Sequence, residues 1–289
     1  MSGERARAAA ADPGPDHAAA GGPGWLVLPA PPHPRVRWGF TLRPGGVSRG
    51  RWGAEDGTGG LNLGARCGDL PAAVAANRAA VARSFAAPVR WLDQVHGIAV
   101  HDGDGAGDAA GIGAEIGVAG SDAPVADAQI TARAGTALAI LVADCLPVLL
   151  ADRHGRAVGA AHAGWRGLAG GVVEATVLAL RQRVPDADLV AWLGPRIGPT
   201  RFEVGDDVRD AFIATDRAAA GDFTAGARAG KWWADLGALA RRRLAACGIT
   251  AVHDSGECTV TSATRYWSFR RDRECGRMAA LISLSDPQS

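Results

Sequence analysis

Residues 138–170 read LAILVADCLPVLLADRHGRAVGAAHAGWRGLAG, and this stretch decides the fold. It contains three short apolar runs, over residues 138–142, 147–151 and 157–161. Each run is too short for a free-standing helix and is bounded by polar or turn-forming residues, which predicts three buried strands. Asp144, Cys145 and His162 lie at the ends of these strands. We therefore expect their side chains to project into one shared cleft.

The glycine-rich segment that follows the last of these strands predicts a binding function. Residues 164–171 contain four glycines and lead into a predicted helix over 172–183. Backbone N–H groups at such a position, together with the guanidinium of Arg166, suit an anion. The segment is therefore a candidate anion site next to His162.

Composition limits the possible classes of protein. The chain has 289 residues, of which 47% are hydrophobic, and a formal net charge of +1. It is long enough to bury a large core, and its balanced charge gives no argument for binding nucleic acid or a membrane. No apolar run approaches the roughly 20 residues of a membrane span. The five cysteines form no C-x-x-C pair and, being odd in number, predict no disulfide framework.

Two regions are predicted from composition to differ in order. Residues 1–24 are rich in Ala, Gly and Pro, which predicts a disordered tail without a secretory signal. Residues 25–289 contain no further linker and are expected to form a single domain. Together with the cysteine usage, these features predict a cytoplasmic protein.

Local patterns predict further elements along the chain. Pro71 suits the first turn of a helix, and the apolar residues after it recur at helical spacing. The predicted elements are a strand over 36–42, a tight turn over 43–46, a helix over 71–85, a strand over 89–92, a mobile surface insertion over 102–124, a strand over 189–193, and helices over about 206–214 and 231–247.

Three residues form a candidate metal site. His96, Cys145 and His162 lie at predicted strand ends, and thiolate and imidazole are ligands that zinc prefers; three protein ligands and a water are typical of a catalytic zinc. Their spacing is not diagnostic, and single buried Cys and His side chains are more often part of a core. A second hypothesis makes Cys145 a nucleophile and His162 its base, oriented by Asp144 or Asp127. Both hypotheses require a thiolate of low pKa beside an imidazole, so the residues alone leave both open.

Other polar residues are candidates for holding a substrate. Arg43, Arg166 and Arg270 are possible clamps for phosphate or carboxylate groups, because a guanidinium offers two parallel donors. Asn62 and Glu203 lie in short loop motifs and are further candidates for binding the substrate. Each of these residues, taken alone, is equally compatible with a structural role.

Nine motifs occur in one order along the chain: TLRPGGVSRG, LNLG, QVHG, DAQIT, ADCLPVLLAD, AHAGWRGLAGGVVE, WLGPRIGPTRFEVG, CTVTS and YWSFRRDRECGR. In this order they resemble the YfiH family, the laccase-domain or multicopper polyphenol oxidase-like proteins. The resemblance runs from about residue 38 to residue 282, and ADCLP and AHAGWRG are its most specific parts.

The resemblance implies an α+β fold, a single-domain layered sandwich of mixed β-sheets flanked by helices. It also implies a zinc site made by the His of QVHG, the Cys of ADCLP and the His of HAGWRG, which are His96, Cys145 and His162 in this sequence. Copper can occupy such a site in vitro. We predict Cys145, His162 and Asp144 as the catalytic residues.

The resemblance implies two activities. Similar proteins act as purine nucleoside phosphorylases on inosine, adenosine and methylthioadenosine, and also deaminate adenosine. The expected partners are then a purine nucleoside and phosphate, held by residues such as Arg43 and Arg166. Other members are described as peptidoglycan-editing amidases, which remove a misincorporated amino acid from a muramyl nucleotide precursor.

The sequence argues against two further functional classes. A multicopper oxidase needs several copper centres with many H-x-H pairs, whereas this chain has seven histidines and no H-x-H pair. A zinc-stabilised binding module without turnover would normally use four protein ligands, and three are predicted here. We therefore expect an enzyme, and not a laccase.

Overall fold

The computed structural model describes residues 22–105 and 123–286. Residues 1–21 of the predicted disordered tail and residues 106–122 of the predicted insertion lie outside the described residues. Gly24, at the end of that tail, is buried, and its carbonyl accepts a hydrogen bond from the Leu42 N–H at 2.9 Å. Within the described part of the chain, no helix is long and apolar enough to cross a membrane.

The described residues contain fourteen strands, six α-helices and two 3-10 helices. In chain order the strands are β1 (Val36–Phe40), β2 (Pro44–Ser48), β3 (Val89–Arg90), β4 (Val100–Asp102), β5 (Ala128–Thr131), β6 (Ala137–Val142), β7 (Leu146–Asp152), β8 (Val158–Ala163), β9 (Leu189–Leu193), β10 (Glu203–Gly205), β11 (Phe223–Ala225), β12 (Lys231–Ala234), β13 (Val252–Asp254) and β14 (Met278–Leu284). The α-helices are α1 (Pro71–Phe85), α2 (Trp165–Gly170), α3 (Val172–Arg183), α4 (Asp206–Ile213), α5 (Leu236–Ala246) and α6 (Phe269–Asp272). Two 3-10 helices span Gly50–Trp52 and Arg217–Asp222.

In the described ranges the strands form three sheets. The spatial orders are β1-β14-β6-β3, β13-β9-β7-β8-β5-β4 and β10-β12-β11. Both larger sheets are mixed, because β3 pairs with β6 and β4 pairs with β5 in parallel while their central pairs are antiparallel. The prediction of an α+β fold with mixed sheets flanked by helices is confirmed.

The two larger sheets pack face to face. On β6, Leu138 and Ile140 are fully buried in one cluster with Leu149 of β7 and Ala160 of β8, which belong to the other sheet. Burying a side chain as large as Leu or Ile stabilises the fold by about 1.5–3 kcal/mol. This shared core therefore holds the two sheets together.

The outer face of each sheet is covered by helices. Ala139 of β6 packs with Phe85 of α1, and Val148 of β7 packs in one cluster with Val177 of α3 and Leu239 of α5. The layers are therefore helix, sheet, sheet and helix. Since both faces of the central strands are buried, their sequences are continuous apolar runs and not alternating ones, and the strands predicted from those runs are confirmed.

One predicted helix was wrong in its first part. Residues 231–247 were predicted as one helix, but Lys231–Ala234 forms β12 and the helix begins only at Leu236. Asp235 ends the strand and caps the helix, accepting hydrogen bonds from two N–H groups of its first turn at 2.8 and 3.0 Å. The strand forms because β12 pairs with both β10 and β11. Those partners are distant in sequence, so helical spacing could not reveal them.

Two smaller predictions also need correction. The tight turn predicted over 43–46 is replaced by β2, which bridges Gly60. The predicted surface insertion does not begin at residue 102, because Asp104 is buried and its carboxylate accepts bonds from the Thr131 hydroxyl at 2.6 Å and the Ala132 N–H at 2.7 Å. A buried carboxylate needs such partners, and they fix the start of the segment against β5.

The register of the six-stranded sheet brings the candidate residues to one end. Strands β5 and β7 both run antiparallel to β8, with Ala128 opposite Ala161 and Leu146 opposite Ala163. The start of β5, the start of β7 and the end of β8 therefore meet, and we call this the site end of the sheet. The prediction that the polar residues lie together at strand ends follows from this register.

Candidate metal centre

His96, Cys145 and His162 meet at the site end. Cys145 Sγ lies 3.8 Å from His96 Nε2, and the two imidazole rings pack edge to face with centroids 4.8 Å apart. One ligand atom of each residue lies within 4.8 Å of the others. In residues 22–105 and 123–286 this is the one group of three or more His, Cys, Asp or Glu side chains with such an arrangement. One thiol and two imidazoles at this separation fit a single metal ion of the zinc or copper type.

Asp127 bonds both histidines through one buried carboxylate. Oδ1 accepts from His162 Nδ1 at 2.8 Å and from the His96 N–H at 2.9 Å. Oδ2 accepts from the N–H groups of Val95 at 3.1 Å and Gly97 at 2.6 Å. Burial alone would raise the pKa of Asp127, but these bonds, above all that from His162, hold it below its usual value. Because Nδ1 of His162 is engaged by Asp127, its Nε2 is the nitrogen left for the cluster.

Two residues of the centre have a left-handed backbone. His96 has φ 63° and Asp144, next to Cys145, has φ 87°. Such conformations of residues with a side chain cost on the order of 1–3 kcal/mol and persist where surrounding contacts fix them. For Asp144 these contacts come from the Thr259 hydroxyl at 2.5 Å, the Ser268 hydroxyl at 3.1 Å and a backbone N–H at 2.6 Å.

The thiol and the imidazole change each other's charge in the metal-free protein. Burial raises the pKa of Cys145, but His162 and His96 outweigh it and lower the pKa from 9.0 to about 6. Burial also opposes charging of His162, yet Cys145 and Asp127 raise its pKa from 6.5 to about 9. The ordinary state near neutral pH is therefore a thiolate beside an imidazolium. A thiolate is both the nucleophilic and the metal-binding form of cysteine.

Asp144, Arg270 and Glu203 form a chain of contacts beside Cys145. The Arg270 N–H donates to the Asp144 carboxylate at 2.6 Å, and the Arg270 guanidinium donates to the Glu203 backbone carbonyl at 3.3 Å. The Glu203 carboxylate pairs with Arg228 at 3.1 Å. Both oxygens of Asp144 accept hydrogen bonds, so it braces the turn before Cys145; its predicted catalytic role stays a prediction.

Arg43 is bound by its own surroundings. The buried guanidinium of Arg43 donates to the carbonyls of Gly53 and Ala263, each at 3.0 Å, and to the Glu55 carboxylate at 2.5 Å. These contacts brace a loop, and the phosphate site proposed below does not include Arg43.

Asn62 is also bound by its own surroundings. The fully buried Asn62 side chain donates to Asp69 at 2.9 Å and accepts from the N–H groups of Gly64 and Arg277, each at 2.9 Å. It therefore fixes the loop before α1. The phosphate site proposed below does not include Asn62 either.

Arg166 differs from these braced residues. It lies in the first turn of α2, is exposed, and stacks over the Trp165 ring with 4.4 Å between the guanidinium carbon and the ring centroid. It makes no ion pair with any residue of the described ranges. The glycine-rich segment around it is helical, and its N–H groups are partly used: Leu168 donates to the Gly164 carbonyl at 2.8 Å. Within the described ranges Arg166 therefore offers a guanidinium that pairs with no carboxylate.

The sequence did not single out the contacts that position the ligands. The sequence offers Asp127 as one of two orienting residues for His162, but it does not show the bonds of Asp127 to residues 95–97. It also does not indicate that Thr259 and Ser268 bond Asp144. The available signal was an aspartate immediately before a buried strand, in DAQIT, and hydroxyl residues in CTVTS and YWSF.

Comparison with known proteins identifies relatives across most of the chain. A family model described as "Multi-copper polyphenol oxidoreductase laccase" matches residues 37–285. The chain is 45% identical over 262 residues to a purine nucleoside phosphorylase of Pseudomonas aeruginosa, covering 91% of this chain and 99% of that protein. It is 42% identical over 266 residues to purine nucleoside phosphorylase YfiH of Escherichia coli, covering 90% and 98%.

Solved structures are similar over the same range. The Neisseria meningitidis protein NMB0706 aligns with a TM-score of 0.78 at 41% identity, covering 91% of this chain and 99% of that one. YlmD from Geobacillus stearothermophilus aligns with a TM-score of 0.80 at 30% identity, covering 94% and 100%. With the matching family model and these relatives, the chain belongs to the YfiH family of laccase-like-domain proteins.

Proposed function

We propose that this protein is a zinc-dependent purine nucleoside phosphorylase that also deaminates adenosine, with inosine, adenosine and methylthioadenosine as substrates. The observation that carries the proposal is the cluster of His96, Cys145 and His162 in a chain whose relatives are named purine nucleoside phosphorylases. Three ligands leave a fourth position for water or substrate, as in catalytic zinc sites.

The metal is proposed from the ligand types. The three residues would hold it, and a bound zinc supplies a Lewis acid that lowers the pKa of a bound water to about 7. Copper binds nitrogen and sulfur ligands more strongly than zinc, so it is expected to compete in vitro. The described residues offer one such cluster, whereas a multicopper oxidase needs several copper centres, so we do not propose an oxidase.

Phosphorolysis requires that phosphate be held beside the sugar and that the nucleoside be held against it. A phosphate oxygen bonds to C1′ of the ribose as the bond from C1′ to the purine nitrogen breaks, and the purine leaves with the bonding electrons and gains a proton. Arg166 is exposed, lies four residues beyond His162, and has its guanidinium free of ion pairs in the described part of the chain. We assign it to the phosphate, where its fork of donors matches the oxygens. Glu203 and Arg270, linked to Asp144, are proposed to hold the nucleoside.

One observation favours a second candidate, a peptidoglycan-editing amidase with Cys145 as nucleophile. His162 faces Cys145 on one side and donates Nδ1–H to Asp127 on the other, which is the arrangement of a nucleophile, a base and an orienting carboxylate. The same residues would then serve without a metal. The two candidates differ in substrate and in metal requirement.

A paired assay separates them. Phosphate-dependent release of hypoxanthine from inosine, and ammonia release from adenosine, are expected from the zinc-loaded protein and are expected to stop after removal of the metal. Release of L-serine from a muramyl-serine nucleotide that persists in chelator-treated protein would favour the amidase. Hypoxanthine release that is unchanged without phosphate would make water the acceptor and would contradict the phosphorylase.

A further inference from the structure

Asp127 contacts both histidines of the cluster, although they come from different parts of the fold. His96 lies in the loop after β3, and His162 lies near the end of β8. We propose that Asp127 is a positioning residue of the metal centre, orienting both histidine ligands through its single carboxylate. The inference rests on the metal centre of the proposed function, but not on the identity of the substrate.

On the His96 side, the carboxylate stabilises an uncommon backbone conformation. Three successive N–H groups, of Val95, His96 and Gly97, converge on the two oxygens of Asp127 at 2.6–3.1 Å. They hold His96 at φ 63°, a left-handed conformation that a histidine rarely adopts. The direction of the His96 ring toward Cys145 depends on this backbone.

On the His162 side, the carboxylate fixes a ring. Oδ1 of Asp127 accepts a hydrogen bond from His162 Nδ1–H at 2.8 Å, so in the neutral imidazole Nε2 carries no proton and is directed to the cluster. The backbone adds a second restraint, because the His162 N–H donates to the Asp127 carbonyl at 2.7 Å. Partners of this kind raise the basicity of a metal-binding imidazole and fix its orientation.

An asparagine could not perform both tasks. It has the shape of aspartate but one acceptor oxygen, and its amide group would present hydrogens to the N–H groups that now donate to the other oxygen. If the oxygen kept His162 and His96, the bonds from Val95 and Gly97 would be lost. Asp127→Asn is therefore expected to loosen at least one ligand while changing the volume of the side chain very little.

Cobalt titration of chelator-stripped protein tests the inference. Asp127→Asn should bind Co²⁺ about 10–100-fold more weakly than the wild type, the usual cost of losing a partner of a metal ligand, and should have an altered visible absorption spectrum. Asp152→Asn is the matched control: Asp152 is equally buried in the same sheet, and its bonds go to Arg156 and Asp188. It should bind Co²⁺ with wild-type affinity and spectrum.

Three results would overturn the inference. Asp127→Asn could bind Co²⁺ as the wild type does, or the two variants could weaken binding equally, which would indicate general destabilisation. Wild-type protein that binds no Co²⁺ would overturn the metal centre itself, and the inference with it. Phosphorylase activity does not enter these measurements, so a failure of the proposed substrate would leave a normal titration.

A measurement on the wild type covers the case in which Asp127→Asn does not fold. In zinc-loaded protein with ¹⁵N-labelled histidine, long-range nitrogen–proton spectra report which ring nitrogen carries a proton. His162 should carry it on Nδ1, with a proton resonance that exchanges slowly. A protonated Nε2, or an Nδ1 without a proton, would overturn the role of Asp127.

Discussion

Asp127 and Asp152 are fully buried carboxylates at opposite ends of the six-stranded sheet. Asp152 accepts bonds from the Arg156 guanidinium at 2.7 and 3.1 Å and from the Asp188 N–H at 3.0 Å. Its partner is a permanent cation that bonds nothing reactive. Asp127 instead bonds backbone N–H groups and His162, and that imidazole faces a thiol.

The comparison shows that burial and residue type do not distinguish a structural carboxylate from one that serves a site. For both residues burial raises the pKa of the carboxyl group, but hydrogen bonds lower this pKa by more than burial raises it. Both side chains are therefore carboxylate anions. The difference lies in the partner. The Arg156 guanidinium only neutralises the charge of Asp152. The His162 imidazole has a second nitrogen, so the bond from Nδ1 to Asp127 also sets the direction in which Nε2 faces the cluster. We therefore predict that substitutions at the site end change metal binding and its dependence on pH. A substitution at Asp152, at the opposite end of the sheet, should change the free energy of unfolding.

Removing a ligand should have the largest effect. Cys145→Ala deletes the one thiolate of the cluster, so the loss of metal affinity should exceed the roughly 100-fold upper cost of losing an outer partner. Metal analysis of protein purified without added metal should find about one zinc per wild-type chain and almost none in the variant. Asp152→Asn should retain its zinc. Stoichiometric zinc in Cys145→Ala would show that the metal is not bound by the cluster at the site end.

The next effect concerns pH. In chelator-stripped protein the pKa of Cys145 is lowered to about 6 because His162 and His96 outweigh the effect of burial, so alkylation by iodoacetamide should be half-maximal near pH 6. Cys275 is the internal control, since burial raises its pKa to about 11, and it should stay unmodified. Peptide mass spectrometry gives both rates. Alkylation of Cys145 that becomes half-maximal only near pH 9 would contradict the thiolate–imidazolium pair.

The same pair has a defined stability window in the stripped protein. The contribution of Cys145, whose pKa is lowered, is lost as the pH falls through about 6, and that of His162, whose pKa is raised, is lost as the pH rises through about 9. The two contributions to stability describe the same ion pair, so they are counted once and are not added together. The pair therefore stabilises the stripped protein between about pH 6 and pH 9.

The central strands could be predicted from the sequence because their signals are local, whereas His96, Cys145 and His162 were selected as one ligand set only by the resemblance of their motifs to a known family. Short apolar runs with polar residues at their ends indicate buried strands, and Cys145 and His162 stand at those ends. The role of Asp127 depends on bonds to residues 30–35 positions away, and that of Arg43 on a carbonyl 220 positions away. No local pattern contains such contacts.

The first part of the helix predicted over 231–247 was wrong for a related reason, whereas the part from Leu236 to Ala246 is helical. Trp232 and Trp233 have neighbours at helical spacing, but β10 and β11 offer β12 hydrogen bonds on both sides. Pairing with strands elsewhere in the chain overrides a local preference. The function class depended on the resemblance, because no residue spacing in this chain specifies a purine substrate.

At the other end of the sheet, Asp152→Asn should lower stability without affecting the metal. It replaces a charge-assisted bond to Arg156, a type worth about 1.5–3 kcal/mol, and a loss of about 2 kcal/mol in the free energy of unfolding is expected. Urea unfolding at pH 7 measures it. The pKa of Asp152 is lowered in the fold, so the wild-type advantage is present at neutral pH and should disappear as the pH falls below about 3.8, where the carboxylate becomes protonated.

The smallest effect is expected for the proposed phosphate contact. Arg166→Lys keeps the positive charge at the site end and removes the fork of two parallel donors. The KM for phosphate should rise about tenfold, which corresponds to about 1.4 kcal/mol, while zinc content and unfolding remain as in the wild type. Arg153→Lys is the matched control, since Arg153 is also exposed and pairs with Asp188 at the opposite end of the sheet at 3.2 Å. It should leave the KM unchanged. If Arg166→Lys instead lowered stability and left phosphate kinetics alone, its stacking on Trp165 would be its function, and the anion would have to be held elsewhere at the site end.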